Sequence, residues 1–174
     1  MPSKKYFQFI LLSIASTLVL SACSEAKSDL LLLETFTKNS VTVSIYLSTS
    51  QDGQDAIVAS FAPPEGFHLY SKDIPRDGVD GLGRPTLLEL TQNSRMKAAG
   101  ELMENTSANI PEFEPKDLLV YPAGPVTLTL PVHLPAGKDQ VNDEVGITYM
   151  ACNDQGCKPP VVNQIITLHI PPIQ

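Results

Sequence analysis

The chain has 174 residues, 43% of them hydrophobic, and a formal net charge of −7 at pH 7. That acidic balance argues against a nucleic-acid partner, whose phosphates need a basic face, and against a polybasic grip on anionic lipid. The length suits one domain, with a core large enough to fold without many crosslinks.

Residues 1–22 read as a signal peptide. Lys4 and Lys5 give a short basic start, "FILLSIASTLVL" is a compact apolar run, and "LSAC" sets small residues directly before Cys23. This order is that of an export signal with a cleavage site, too short and wrongly flanked for a stable membrane span. No other segment is apolar for long enough to cross a bilayer. The Leu-Ser-Ala-Cys order resembles a bacterial lipobox, which implies cleavage before Cys23 and acylation of its thiol; an ordinary signal peptide with a chance cysteine is the alternative. Ser24, where aspartate would mark inner-membrane retention, points to an outer-membrane anchor. Residues 23–34 are then the lipidated N-terminus and tether, beginning with the polar "SEAKSD".

From residue 35 to 172 the pattern is that of strands. In "VTVSIYLS" Val41, Val43, Ile45 and Leu47 alternate with more polar neighbours, so one face is buried. "DAIVASF", "FHLYS" and "TLLELT" are further short strands. "SRMKAAGELMEN" is the single segment with a helical reading, and Gly100 interrupts it. "VTLTLPVHL" carries Val126, Leu128, Leu130, Val132 and Leu134 on one face; Pro131 removes a ladder donor and predicts an edge strand or a bulge. "EVGITYMA" and "VVNQIITLHI" complete the set. Turn signals such as "DGQD", "PPEG" and "PAGP" separate these runs, and 15 prolines suit extended segments and loops. The expected fold class is all-β, an immunoglobulin-like antiparallel β-sandwich.

Other motifs return little. "GVDGLGRP" lacks the spacing of a phosphate-binding loop and reads as a surface loop. Asp73, Asp77 and Asp80 do not match a calcium loop, and no Gly-x-Ser-x-Gly nucleophile elbow is present.

The chemistry concentrates in "YMACNDQGCKPP", residues 149–160. With Cys23 occupied by lipid, Cys152 and Cys157 are the remaining pair in an exported chain, and a disulfide between them is the expected resting state. Three readings stand. As a staple, a bond closing so short a loop stabilises by about 2 kcal/mol, against roughly 4–5 for one tying distant strands. As a metal site, Met150, Cys152 and Cys157 offer soft sulfur ligands to copper(I), while His68, His133 and His169 are scattered strand residues that do not complete a zinc set. The third reading is a pair that opens and closes. Pro159 and Pro160 preclude a helix starting at Cys157, so no helix dipole lowers its thiol pKa from about 8.5. Lys158 favours the thiolate slightly and Asp154 opposes it. Such a pair is a poor general reductant and suits exchange with docked partners.

"VGITYMACNDQGCKPP" resembles the cysteine segment of the N-terminal periplasmic domain of the DsbD thiol–disulfide interchange family. "PPEGFHLYSKD" is similar to the family's Gly-aromatic-x-Leu-Tyr strand, and "EFEPK" with "VTLTLPV" to its capping loop and the strand after it. The likeness spans roughly residues 35–170. It implies an immunoglobulin-like fold and a protein-disulfide reductase component without a cofactor or a resident metal. Electrons would pass between a membrane thiol reductase and periplasmic thioredoxin-like thiol proteins. It further implies that Cys152 and Cys157 are the redox pair, with Cys157 forming the mixed disulfide. Phe113 falls at the cap, and His68, Tyr70 and Tyr149 line the site. Phe113 otherwise reads as a loop aromatic packed on the sandwich edge. The family's transmembrane and thioredoxin-like parts have no counterpart in this sequence, and the loop between the cysteines is short.

Overall fold

A computed structural model describes residues 29–50, 53–137 and 139–172. The Cys23 site and the signal segment lie outside the described residues. Among the described residues twelve strands follow in chain order. They are β1 (Asp29–Lys38), β2 (Val41–Thr49), β3 (Asp55–Ala62), β4 (His68–Leu69), β5 (Leu87–Leu90) and β6 (Lys97–Ala98). The rest are β7 (Met103–Glu104), β8 (Val126–His133), β9 (Val141–Tyr149), β10 (Ala151–Asn153), β11 (Gly156–Cys157) and β12 (Val161–Ile170). All strand pairings are antiparallel.

One sheet has the order β1-β2-β3-β8, with β6 and β7 both on the far side of β8. A second has the order β12-β9-β5, and a third, small one the order β11-β10-β4. The period-2 pattern decides which faces meet. Val41, Val43 and Ile45 of β2, Ile57, Ala59 and Phe61 of β3, and Val126 and Leu128 of β8 are fully buried. They pack in one core with Val145, Ile147 and Tyr149 of β9 and Leu168 and Ile170 of β12. Each large side chain so buried contributes about 1.5–3 kcal/mol, and the result is the expected immunoglobulin-like sandwich.

Three local expectations change. Residues 94–105 form no helix; they supply β6 and β7. The backbone N–H groups of Arg95 and Met96 donate to the buried carboxylate of Asp143, at 3.0 and 2.9 Å, and Ala99 N–H donates to the Pro131 carbonyl at 2.9 Å. Tertiary partners therefore override local helix propensity. Pro131 sits on neither a free edge nor a bulge. Its carbonyl faces outward to Ala99, so its ring nitrogen faces the same way, between β6 at Val132 and β7 at Thr129. The missing donor falls where the outer partner strand is interrupted. Finally, β1 begins at Asp29, inside the span expected to be tether, because its backbone pairs with β2 from Asp29↔Thr49 onward.

The segment that will matter most is held by its backbone. Tyr121 N–H donates to the Leu69 carbonyl (2.8 Å) and Ser71 N–H to the Leu119 carbonyl (2.9 Å). The Thr86 hydroxyl donates to the Tyr70 carbonyl (2.7 Å). The Tyr121 hydroxyl accepts from Lys72 N–H (3.1 Å) and donates to Glu104 (2.5 Å).

Candidate functional site

Strand β9 ends at Tyr149, and after Met150 the chain continues as β10, turns through Asp154 and Gln155, and returns as β11. The Asn153 side-chain oxygen fixes that turn by accepting from the N–H groups of Gln155 and Gly156, at 3.0 and 3.1 Å. Gly156, at φ 150°, takes the conformation that favours a residue without a Cβ. Cys152 and Cys157 are consequently direct cross-strand partners with Cα atoms 4.0 Å apart, joined by a disulfide. Lys158 N–H donates to the Ala151 carbonyl at 2.8 Å and closes the hairpin base.

The two sulfurs differ in surroundings. Cys152 is 2% exposed and packs in a small second core with Tyr70, Ile74 and Leu118. Cys157, on the outer strand, is exposed. Cys157 is the sulfur open to solvent, and Cys152 lies behind it. That order is set by packing.

A cleft of about 470 Å³ opens against the disulfide. One wall is β4. His68 pairs in register with Cys152, its ring edge-on to Tyr70 at 5.4 Å and stacked on Phe113 at 6.0 Å. Phe113 comes from the loop 111–116, which includes a cis Glu114–Pro115 bond. The Lys116 ammonium gathers this loop by donating to the carbonyls of Pro111 (3.2 Å) and Glu112 (2.9 Å). The loop through Gly81, Leu82 and Gly83 also lines the cleft. The Arg84 guanidinium ties this loop by donating to the carbonyls of Asp77 (2.8 Å) and Gly81 (3.3 Å). Gly83, at φ 73°, lies so close beneath Tyr70 and Leu118 that a Cβ would come within 2.8 Å of Leu118 Cδ1.

Burial pushes the Tyr70 phenol up and the His68 imidazole down, the latter partly opposed by the negative charge of Asp154. Both rings are thus biased towards their neutral forms. Lys158 is drawn away onto the Phe67 ring, 5.1 Å from its centroid.

Of the residues expected at the site, the fold brings His68, Tyr70, Phe113, Cys152 and Cys157 to one cleft. Tyr149 is not there. It belongs to the main core at 1% exposure, edge-on to Phe61, with its hydroxyl donating to the Lys38 carbonyl at 2.9 Å. Its period-2 place after Val145 and Ile147 carried that signal. The "GVDGLGRP" loop is at the surface as expected, but it also supplies Leu82 and Gly83 to the cleft, and Leu118 and Glu114 line it as well.

Comparison with known proteins adds one match. A family model described as thiol:disulfide interchange protein DsbD, N-terminal, matches residues 38–169, a span holding the whole cleft. No curated protein and no solved structure matches the chain.

Proposed function

The chain belongs to the family of the DsbD N-terminal domain, and on that premise we propose that it relays electrons between a membrane thiol reductase and periplasmic thioredoxin-like proteins. The Cys152–Cys157 pair is the carrier, and Phe113 is the cap that screens it from unselected thiols. The observation that carries the reading is the asymmetry of the disulfide: Cys157 exposed beside a walled cleft, Cys152 buried behind it. An inert staple needs neither the accessible sulfur nor the cleft.

Equilibration with a glutathione or thioredoxin couple tests this. A relay has a potential well above about −300 mV, whereas a structural bond lies below it. Copper(I) binding is the second reading, favoured by one observation: Met150 lines the same cleft as both cysteines. Tight stoichiometric copper(I) uptake by the reduced protein, with slow disulfide exchange, decides for it.

The proposed location is the periplasmic side of the envelope, with acylated Cys23 in the outer membrane. The lipobox-like "LSAC" and Ser24 support it. Among the described residues no helix is long and apolar enough to cross a membrane. Recovery of the acylated protein wholly in the inner-membrane fraction refutes the outer placement.

A further inference from the structure

We propose that His68 carries the proton of Cys152 during thiol–disulfide exchange, an inference that rests on the relay reading and deepens it. Register is the first observation. In the β4–β10 ladder Cys152 lies opposite His68, and directly opposed side chains in an antiparallel pair share one face, with Cβ atoms about 4.5–5.5 Å apart. The second is an orphan. His68 Nε2 is buried and has no hydrogen-bond partner while the cysteines are oxidised. Buried polar atoms ordinarily have partners. Reduction supplies one, because the Cys152 thiol that replaces the disulfide sulfur is a donor. The third is confinement: Tyr70 meets the ring edge-on and Phe113 covers its face, which fixes the imidazole in the cleft that Cys152 also lines.

The groups facing His68 in the cleft set its charge. Asp154 on the hairpin turn and Glu114 on the loop 111–116 are the acidic side chains, Tyr70 and the cysteines the other titratable ones; the loop 81–83 brings none. Burial outweighs Asp154, so the ring is held more strongly in its neutral form, the form that has a free nitrogen for a proton.

The step balances as follows. A partner sulfur is bonded to Cys157 Sγ, and Cys152 is a thiol. His68 Nε2 takes the Cys152 proton as that sulfur attacks Cys157 Sγ. The Cys152–Cys157 bond forms and the bond from Cys157 to the partner breaks. The partner sulfur leaves with the electron pair as thiolate and takes a proton from water. The pair is oxidised by two electrons and the partner reduced; the imidazolium then returns its proton to water. In the opposite direction His68 first takes a proton from water; a partner thiolate then attacks Cys157, the Cys152–Cys157 bond breaks, and the imidazolium protonates the departing Cys152 sulfur. A buried thiolate in apolar surroundings is unfavourable, so this transfer lowers the barrier both ways.

The test uses the reduced protein and dithiobis(nitrobenzoate), which reports two thiolate releases: attack by Cys157, then closure by Cys152. His68→Phe keeps a stacking ring and removes the nitrogen; His68→Gln keeps a polar group that does not titrate. Both variants are expected to slow closure at pH 7 by about tenfold or more, as loss of a general base does. Both should also abolish the histidine inflection in its pH profile, leaving Cys157 attack nearly unchanged. Closure with unchanged rate and unchanged pH profile in His68→Phe overturns the proposal and makes the ring a filler. Should the variants fold poorly, nitrogen chemical shifts of His68 in the unsubstituted protein decide. Its titration midpoint is expected to move between oxidised and reduced forms, and an unmoved midpoint overturns the coupling. Exchange with a thioredoxin-like protein tests the relay separately: wild-type protein exchanging no faster with it than with a small thiol defeats that reading whatever His68 does.

Discussion

The Phe113 ring stacks on His68, centroids 6.0 Å apart with 27° between planes, while Phe113 itself remains 43% exposed. It is fastened on one face and open on the other, as a displaceable cover would be. Phe113→Ala is expected to speed reduction of the disulfide by a small thiol several-fold and to change stability by about 1 kcal/mol or less. Exchange with a docked protein partner should stay intact. Unchanged small-thiol kinetics together with a large loss of stability would show that the ring is core.

Lys116 offers a way to loosen the loop 111–116 without touching the Phe113 ring. Its ammonium holds the carbonyls of Pro111 and Glu112 from a half-exposed position. Lys116→Met should reproduce part of the acceleration seen in Phe113→Ala, with the melting temperature almost unmoved. A parallel rise in mobility at Phe113, read from nuclear relaxation, is the structural check.

Gly83 is the glycine packed tightly against the cleft's side chains. At φ 73°, with 2.8 Å to Leu118 and 3.3 Å to the Tyr70 ring for an added Cβ, alanine meets both backbone strain and a clash. Gly83→Ala should destabilise by about 1–3 kcal/mol in urea unfolding of the oxidised protein. Gly53 also has positive φ but has nothing within 4 Å of an added Cβ. Alanine there should cost less, since only the strain applies.

Alkaline stability should depend on Tyr149. Burial raises its phenol from 10.0 to about 12. Between those values the unfolded chain has lost the proton and the folded one keeps it, so stability is complete below pH 10 and falls as pH rises towards 12. The loss is of order 2–3 kcal/mol. Tyr149→Phe should flatten this stretch of the pH profile in denaturant titrations, after a constant penalty of about 1 kcal/mol for the bond to the Lys38 carbonyl.

Strands β2, β3, β8, β9 and β12 were legible because each buries one face, or part of one, against the opposite sheet, and the period survives in the side chains. The cysteine hairpin was legible for a different reason: its turn chemistry, Asn153 to Gly156, is local. What stayed hidden depends on distant partners. Residues 94–105 follow Asp143 and Pro131, neither of which is near in sequence. Strand β1 was hidden because Leu30, Leu31, Leu32 and Leu33 do not alternate; the first three are exposed, and a register shift separates Leu32 from Glu34. The glycine-loop lining of the cleft was invisible because Gly81–Gly83 and Cys152 meet only through the small core around Leu118. The line between cleft and core was readable at Tyr149 but obscured at Met150, where the alternation of β9 breaks before β10.

Strand β1 also fixes an orientation. Its last residue, Lys38, accepts the Tyr149 hydroxyl, and Asn39 donates to the Pro159 carbonyl just past the hairpin, at 2.8 Å. Its first residue, Asp29, pairs with Thr49 at the far end of the sheet. Ten residues at about 3.3 Å each separate the two ends by roughly 30 Å. A hold on the chain ahead of Asp29 would therefore grip the domain by its heel, with the sulfurs at the toe. A tether there would set how far they reach, with the rigid length of the sandwich added once to its slack.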